Sequence, residues 1–160
     1  MKIQLIIIFV CFINMNGISQ QTNGNKKNGL YIENNGLKEV YYKQGLKDGI
    51  FKTYNRKNGK LSAFGEYENG EKTGTWYYFD EKSHLYLQES QIKKNNYYFR
   101  NRDDGVKVKP KYVSYIKTYY STGYIKEEGF VLYNEDIEID FYKIGTWKYY
   151  NEQGILTKNK

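Results

Sequence analysis

Two nearly identical stretches, GTWYYF at residues 74–79 and GTWKYY at residues 145–150, decide how this chain folds. In both stretches a Trp is followed two residues later by a Tyr. Because successive side chains of a β-strand point to opposite faces, this spacing places the Trp and the Tyr on one face. We interpret both stretches as strands in which Trp76 and Trp147 pack in a core, with the preceding Gly allowing a tight turn into the strand.

The two stretches end longer copies of one repeat, at residues 54–79 and 119–150. Each copy has a Gly pair six residues apart, followed by Gly-x-Trp; the positions are Gly59, Gly65, Gly74 and Trp76, and Gly123, Gly129, Gly145 and Trp147. A weaker copy at residues 31–54 carries Gly49-Ile50-Phe51 in place of Gly-Thr-Trp, and the first turns, at Gly36 and Gly59, lie 23 residues apart. Two short aromatic strands and two Gly/Asn turns in each copy predict a β-hairpin. One hairpin is marginal in water, so consecutive hairpins are expected to stack.

The composition favours an all-β fold. The 160 residues include 19 Tyr, 8 Phe and 15 Gly but only 1 Pro, and the sole Ala is Ala63. Tyr and Phe suit a half-buried pleated surface, and Gly suits turns. We therefore predict one elongated, twisted sheet of antiparallel hairpins over residues 30–156, preceded by a flexible polar segment at 20–29 and followed by a tail at 157–160.

The N-terminus has the pattern of an export signal. Lys2 precedes an apolar run at 5–13, and Gly17-Ile18-Ser19 offers small residues for cleavage after Ser19. The run is about half of the roughly 20 residues that a membrane-spanning helix needs, so we expect no transmembrane segment in the mature chain. Removing residues 1–19 also removes Cys11, the 1 Cys of the chain, which excludes disulfides and Cys-bound metals. The mature protein is expected in the periplasm, at the cell surface or in the medium.

A basic insert at residues 93–112 separates the clear copies, with seven basic and two acidic residues. Its RDDG motif between Tyr97-Tyr98-Phe99 and Val106-Lys107-Val108 predicts a hairpin. The candidate binding residues share positive charge or an interleaved ring: Lys93, Lys94, Tyr97, Arg100, Arg102, Lys107, Lys109 and Lys111. Such a surface would attract an acidic protein, anionic envelope polymers or acidic lipid headgroups, and export argues against nucleic acid. The alternative is that the lysines protect an exposed edge strand.

Carboxylates and the only His offer weaker candidates for chemistry. The stretch DIEIDF at 136–141 alternates like a longer strand with one acidic face. Acidic side chains could serve glycoside hydrolysis, and three of them could share calcium; the candidates are Glu127, Glu128, Asp136, Glu138 and Asp140. A solvated polar face explains them more simply. His84 is interpreted as a solvated turn residue, and no cofactor is expected.

The ordered set of Gly-x-Leu, Gly-x-Tyr, Asn-Gly and Gly-x-Trp in GKLSAFGEYENGEKTGTWYYF and GTWKYYNEQGIL resembles the bacterial variant of the MORN repeat, including the YwqK-like antitoxin proteins. The resemblance covers roughly residues 30–79 and 114–156, outside the signal and the basic insert. It implies stacked hairpins that serve as a scaffold or recognition surface rather than for catalysis.

We therefore expect an exported, non-enzymatic β-repeat protein that binds a partner protein or an anionic envelope component. A second hypothesis is carbohydrate binding, with or without hydrolysis, by Tyr and Trp rings in a row. It requires a face of uncovered aromatic rings flanked by polar residues, so exposed Trp would favour it and buried Trp would count against it. A third is an antitoxin or immunity protein that blocks a toxin by surface contact. It predicts one stoichiometric partner and an activity that survives Glu-to-Gln changes at residues 127, 128 and 138.

Overall fold

The computed structural model describes residues 27–96, 98–101, 105–138 and 140–160, and all regular structure in them is β-strand. The strands are Gly29–Glu33 (β1), Lys38–Lys43 (β2), Leu46–Tyr54 (β3), Leu61–Glu68 (β4), Glu71–Phe79 (β5), Leu85–Lys94 (β6), Arg100–Asn101 (β7), Lys107–Val108 (β8), Tyr112–Tyr119 (β9), Ile125–Tyr133 (β10), Tyr142–Tyr150 (β11) and Leu156–Asn159 (β12). The predicted export signal at 1–19 lies outside the described residues.

Ten strands form one open antiparallel sheet in which spatial order follows chain order, β1-β2-β3-β4-β5-β6-β9-β10-β11-β12. The remaining pair, β7-β8, is a separate hairpin inserted between β6 and β9. Every neighbouring pair in the large sheet is therefore joined by a turn, by this insert or by the connection between β10 and β11. The prediction of consecutive antiparallel hairpins in one all-β sheet is confirmed.

The sheet has one buried face, which we call the core face. Its centre is a continuous apolar cluster drawn from β2 to β11: Val40, Phe51, Ala63, Trp76, Tyr78, Leu87, Ile116, Val131, Tyr133 and Trp147. Both Trp residues are 2% exposed, as the prediction of a packing role requires. The opposite face, which we call the open face, carries the alternate residues of the same strands.

The two Gly-Thr-Trp motifs form β-bulges, which corrects the expectation that their Gly allows a tight turn into the strand. In β4 and β5, Phe64 pairs with Tyr77 and Glu66 pairs with Thr73, so Gly65 alone faces Gly74-Thr75-Trp76. In β10 and β11, Gly129 faces Gly145-Thr146-Trp147 in the same way. Gly74 and Gly145 both have φ of 65°, in the left-handed region that side chains with a Cβ rarely adopt.

Each bulge lays its indole ring over the facing glycine. A Cβ built on Gly129 would lie 2.5 Å from Cε2 of Trp147, and a Cβ on Gly65 would overlap Trp76 even more closely. The indole N–H donates to the carbonyl that follows the glycine, at 3.2 Å for Trp76 and 3.1 Å for Trp147. The Gly and the Trp recur together in the repeat because each Trp ring packs directly on the Gly of the neighbouring strand.

The acidic stretch 136–141 is not a strand, and this prediction was wrong. β10 ends at Tyr133 and β11 begins at Tyr142, and the residues between them form bends and a turn. We call residues 134–141 the strap; residue 139 is outside the described residues. Ile137 is 0% exposed and joins the core cluster, while Phe141 packs against it. The strap covers part of the core face because its apolar residues are drawn into the cluster.

The sheet extends further than predicted at both ends. Gly29 already belongs to β1, and the carbonyl of Lys27 accepts a hydrogen bond from the N–H of Gly45 at 2.9 Å. At the other end, the expected tail forms most of β12, and Lys160 exchanges two backbone hydrogen bonds with Trp147, of 2.7 and 2.9 Å. The basic insert forms a hairpin as predicted, with strands of two residues each.

Replacing Gly65 by Ala should destabilise the protein by about 2–3 kcal/mol, because the new methyl group displaces the Trp76 ring from a packed core. Gly74→Ala is the matched control within the same bulge. Its Cβ would meet nothing within 4 Å, so the cost is the backbone strain alone, about 1 kcal/mol. Urea unfolding followed by tryptophan fluorescence measures both, and a Gly74 variant as unstable as the Gly65 variant would contradict the packing argument.

Ser83→Gly should raise the free energy of unfolding by about 0.5–1 kcal/mol. Ser83 has φ of 73°, whereas the corresponding positions of three similar turns are glycines, Gly59, Gly123 and Gly154. Glycine removes the steric strain of a Cβ there. Thermal unfolding tests this, with Ser121→Gly, a serine of a neighbouring turn with no positive φ, as the control that should gain nothing.

Candidate functional site

The basic hairpin, residues 95–111, is fixed at its base by the buried Asn95. The side-chain amide of Asn95 donates to the carbonyls of Tyr98 at 2.8 Å and Pro110 at 2.7 Å, and its Oδ1 accepts from the N–H of Tyr98 at 2.9 Å. Its backbone N–H donates to the carbonyl of Lys111 at 2.8 Å. One asparagine therefore closes both ends of the insert and orients it against the sheet.

The hairpin lies against one end of the open face. The Arg100 guanidinium carbon is 3.2 Å from the centroid of the Tyr142 ring. Tyr142 pairs with Leu132, which is 1% exposed although it lies outside the core-face cluster. The hairpin exposes Tyr98, Phe99 and Val106 to solvent, and the ammonium groups of Lys107 and Lys109 lie 4.8 and 5.8 Å from the Phe99 ring centroid.

The structure brings together only part of the predicted basic site. Lys94 forms an ion pair with Glu71 at 3.0 Å, and Lys111 lies 5.0 Å from the centroid of the Tyr112 ring. Lys93 is exposed, and it pairs with Val113 across β6 and β9. Tyr97 and Arg102 lie outside the described residues. Lys107, Lys109 and Arg100 form the hairpin's own surface, separate from Lys94.

Half-exposed aromatic residues run across the open face beside this hairpin. Phe64 and Tyr77 stack with ring centroids 6.3 Å apart, and Tyr115 meets Phe130 edge to face at 5.0 Å. Between these two pairs lies Gln88, which accepts a hydrogen bond from the Tyr119 hydroxyl at 2.8 Å. The open face is thus an aromatic surface with polar groups set among the rings.

The candidate carboxylates do not form one acidic site. Glu127 forms an ion pair with Lys143 and lies on the core face beside its strand partner Tyr149. Glu128 lies on the open face and accepts a hydrogen bond from the Tyr150 hydroxyl at 2.7 Å. Glu138 is on the strap and accepts from Tyr86. Burial raises the pKa of Glu138, and the charge of Asp136 adds to the shift. In the part of the chain that the structure describes, no group of three or more His, Cys, Asp or Glu residues could hold a metal ion.

The strap packs on the core face and Arg100 of the basic hairpin lies over the open face, but the two segments meet at their bases, where the N–H of Lys111 donates to Oδ1 of Asn134 at 3.3 Å. His84 lies in the turn after β5, as predicted. Its Nδ1 is 3.2 Å from Oδ2 of Asp80, and the other oxygen of Asp80 accepts the backbone N–H groups of Lys82 and His84 at 2.8 and 2.9 Å. Asp80 therefore organises the turn.

A recurring cluster of three side chains was missed by the sequence analysis. Among the described residues, one Glu carboxylate binds both a Lys ammonium and a Tyr hydroxyl in five places, and we call each a Lys–Tyr–Glu cluster. The clusters are Lys27/Tyr42/Glu33, Lys52/Tyr54/Glu39, Lys94/Tyr112/Glu71, Lys72/Tyr78/Glu89 and Lys148/Tyr150/Glu128. The third of these is the only one that uses a residue of the predicted basic site.

The repeat also contains a lysine whose contact on the core face recurs. In all three copies a Lys stands two residues before the bulge glycine, as Lys47, Lys72 and Lys143. Each lysine lies over the aromatic residue four positions later, with the ammonium 5.5 Å from the ring centroid of Phe51, 4.5 Å from that of Trp76 and 4.2 Å from that of Trp147. The sequence motif Lys-x-Gly-x-aromatic thus predicts a cation–π contact on the core face.

No protein-family model, curated protein or solved structure matches this chain. The described part of the chain contains no helix long and apolar enough to cross a membrane.

Glu33→Gln should lower stability at neutral pH by about 1 kcal/mol, a value reduced by solvent screening of this partly exposed cluster. Lys27 donates to Glu33 at 2.7 Å, and this bond, together with those from Lys38 and Tyr42, lowers the pKa of Glu33 to about 2. A carboxyl with a depressed folded-state pKa stabilises the fold above its ordinary pKa of 4.5 and loses that contribution as the pH falls toward 2.

Urea unfolding of wild type and variant at neutral pH and near pH 2 measures the effect. The difference between the two proteins should shrink at the acidic pH. Glu68→Gln, the same change at an exposed glutamate, is the matched control. A Glu33→Gln effect of equal size at both pH values would contradict the assignment.

Proposed function

We propose that the protein is a non-catalytic interaction protein whose open face and basic hairpin together bind an acidic protein partner after export. One observation carries the proposal: the aromatic residues of the open face and the cations of the hairpin lie on the same side of the sheet. Large half-exposed rings flanked by cations are the composition of protein interface centres. An antiparallel sheet that buries one face leaves the other free for recognition.

The charge of the hairpin favours an acidic partner. Lys107 and Lys109 are exposed, and their ammonium groups lie near the Phe99 ring. On the open face, the ammonium groups of Lys117 and Lys148 lie 3.7 and 3.5 Å from the carboxylate of Glu128. Two cations share one carboxylate, so this group of three side chains is net positive. Such a surface speeds association with acidic proteins through a field that salt screens.

The role of the Trp residues argues against a carbohydrate-binding protein. Buried Trp rings count against that hypothesis, and both Trp rings are buried over glycines of the core face, so the rings that the open face offers are those of Tyr and Phe. An antitoxin or immunity protein would be a special case of the proposal, in which the acidic partner is a toxin. The resemblance to MORN repeats supports the same scaffold-like role.

A double variant of the open face, Tyr77→Ser with Phe130→Ser, should lose the partner. We expect the full-length protein to retain one stoichiometric protein from envelope and secreted fractions of the source cell, and the variant to bind that protein at least about tenfold more weakly. Tyr124→Ser is the matched control, because Tyr124 is 53% exposed in the turn before β10.

Capture followed by mass spectrometry, at low and high salt, identifies the partner, and titration of the purified pair measures the affinity. Lys107→Gln with Lys109→Gln should slow association mainly at low salt. Equal binding by the open-face variant and by the control would contradict the proposal, as would retention of polysaccharide alone.

A further inference from the structure

A cavity on the core face contains an incomplete Lys–Tyr–Glu cluster. Its volume is about 180 Å³, and it is lined by Lys47, Tyr67, Lys72, Tyr112, Tyr133 and Glu135. Lys47 donates to the Tyr67 hydroxyl at 3.5 Å, and its ammonium lies 4.6 Å from the centroid of the Tyr67 ring. Among the described residues, Lys47 forms no ion pair with a carboxylate.

The five complete clusters show what this arrangement holds. In the cluster that shares Lys72 with the cavity, the Lys72 ammonium donates to the Tyr78 hydroxyl at 2.8 Å. Both groups also donate to Oε2 of Glu89, at 3.4 Å from Lys72 and 3.1 Å from Tyr78. Glu89 is 0% exposed, so the cluster binds a carboxylate even where its desolvation is costly. Lys47 and Tyr67 repeat the ammonium and the hydroxyl without the carboxylate.

We propose that the cavity binds a carboxylate group supplied from outside the chain, held by Lys47 and Tyr67 with Lys72 beside it. At roughly 30 Å³ per water molecule, the cavity accommodates a group of several heavy atoms. An ammonium and a phenolic hydroxyl are both donors to a carboxylate, and bonds to charged groups are the strong ones. The carboxylate comes either from an acidic residue of a peptide or from a small free acid.

The electrostatics of the site agree with this ligand. Burial lowers the pKa of Lys47, and the positive charges of Lys38 and Lys72 lower it further, whereas the negative charge of Glu33 raises it. An incoming carboxylate in direct contact with Lys47 offsets the repulsion that Glu33 leaves. Glu135 of the strap lies at the cavity wall, and its charge opposes the entry of a second acid.

Isothermal titration of the full-length protein with two probes tests the inference. The probes are sodium glutarate and the blocked tripeptide acetyl-Ala-Glu-Ala-amide, and the neutral control is acetyl-Ala-Gln-Ala-amide. We expect saturable binding of at least one acidic probe and none of the neutral one. Tighter binding of the tripeptide identifies an acidic residue as the ligand, and tighter binding of glutarate identifies a small acid.

Two variants locate the site. Lys47→Met should weaken binding at least about tenfold, the loss expected from one charged hydrogen bond. Tyr67→Phe removes only a hydroxyl and should weaken binding severalfold, and it serves if the Lys47 variant does not fold. Lys52→Met is the matched control, since Lys52 lies on the same strand but on the open face, paired with Glu39 at 3.0 Å.

Three results would overturn the inference. They are absence of saturable binding, equal affinity in Lys47→Met and in Lys52→Met, and tighter binding of inorganic phosphate than of either acidic probe. Binding that appears only after Glu135→Gln would also overturn it, because Glu135 would then be the natural occupant. None of these results bears on the open face, so this inference and the proposed function can fail separately.

Discussion

The contact between a Trp ring and a glycine of the neighbouring strand determines most of this structure. The ring can lie flat on the sheet only because Gly65 and Gly129 have no side chain, and it reaches that position only because a left-handed Gly opens a bulge in its own strand. The indole N–H then finds a backbone carbonyl of the facing strand, so burial leaves no unpaired donor. One contact thus fixes the register of a hairpin, and this explains why its residues recur together in the sequence.

A single sheet must cover its core face without a second layer, and tyrosine makes this possible. A Tyr ring buries apolar area, while its hydroxyl reaches a carboxylate at the border of the cluster. The lysines behave in a similar way, because their stems and ammonium groups lie over rings before they reach Glu. The centre of the core face is therefore apolar and its border is ionic. This arrangement accounts for a chain with 19 Tyr and a single Ala.

Local pattern predicts the hairpins, the side on which Trp76 and Tyr78 lie, and the basic insert, because each depends on residues close in sequence. The strap shows where such reasoning fails. Residues 136–141 alternate as a strand would, but the alternation reflects Ile137 and Phe141 returning to a core made by distant strands. The Lys–Tyr–Glu clusters were missed for a related reason. Tyr112 and Glu71, for example, are 41 residues apart, and only the register of the sheet brings them together.

The two faces separate two kinds of electrostatic interaction. Exposed lysines of the basic hairpin act through water, and their field extends about 10 Å at 0.1 M salt, so they influence encounter more than affinity. Lys47 is half-buried among rings, where a lower effective dielectric strengthens its interaction with a charged group in direct contact. The acidic strap lies on the side of Lys47, and its first residue, Asn134, meets the base of the basic hairpin at Lys111. Under our two proposals, an acidic macromolecule would be drawn to the open face, whereas the cavity of the core face would admit an acidic group only at direct contact and only past Glu135. Long-range attraction and short-range recognition of acidic groups would then lie on opposite sides of one sheet.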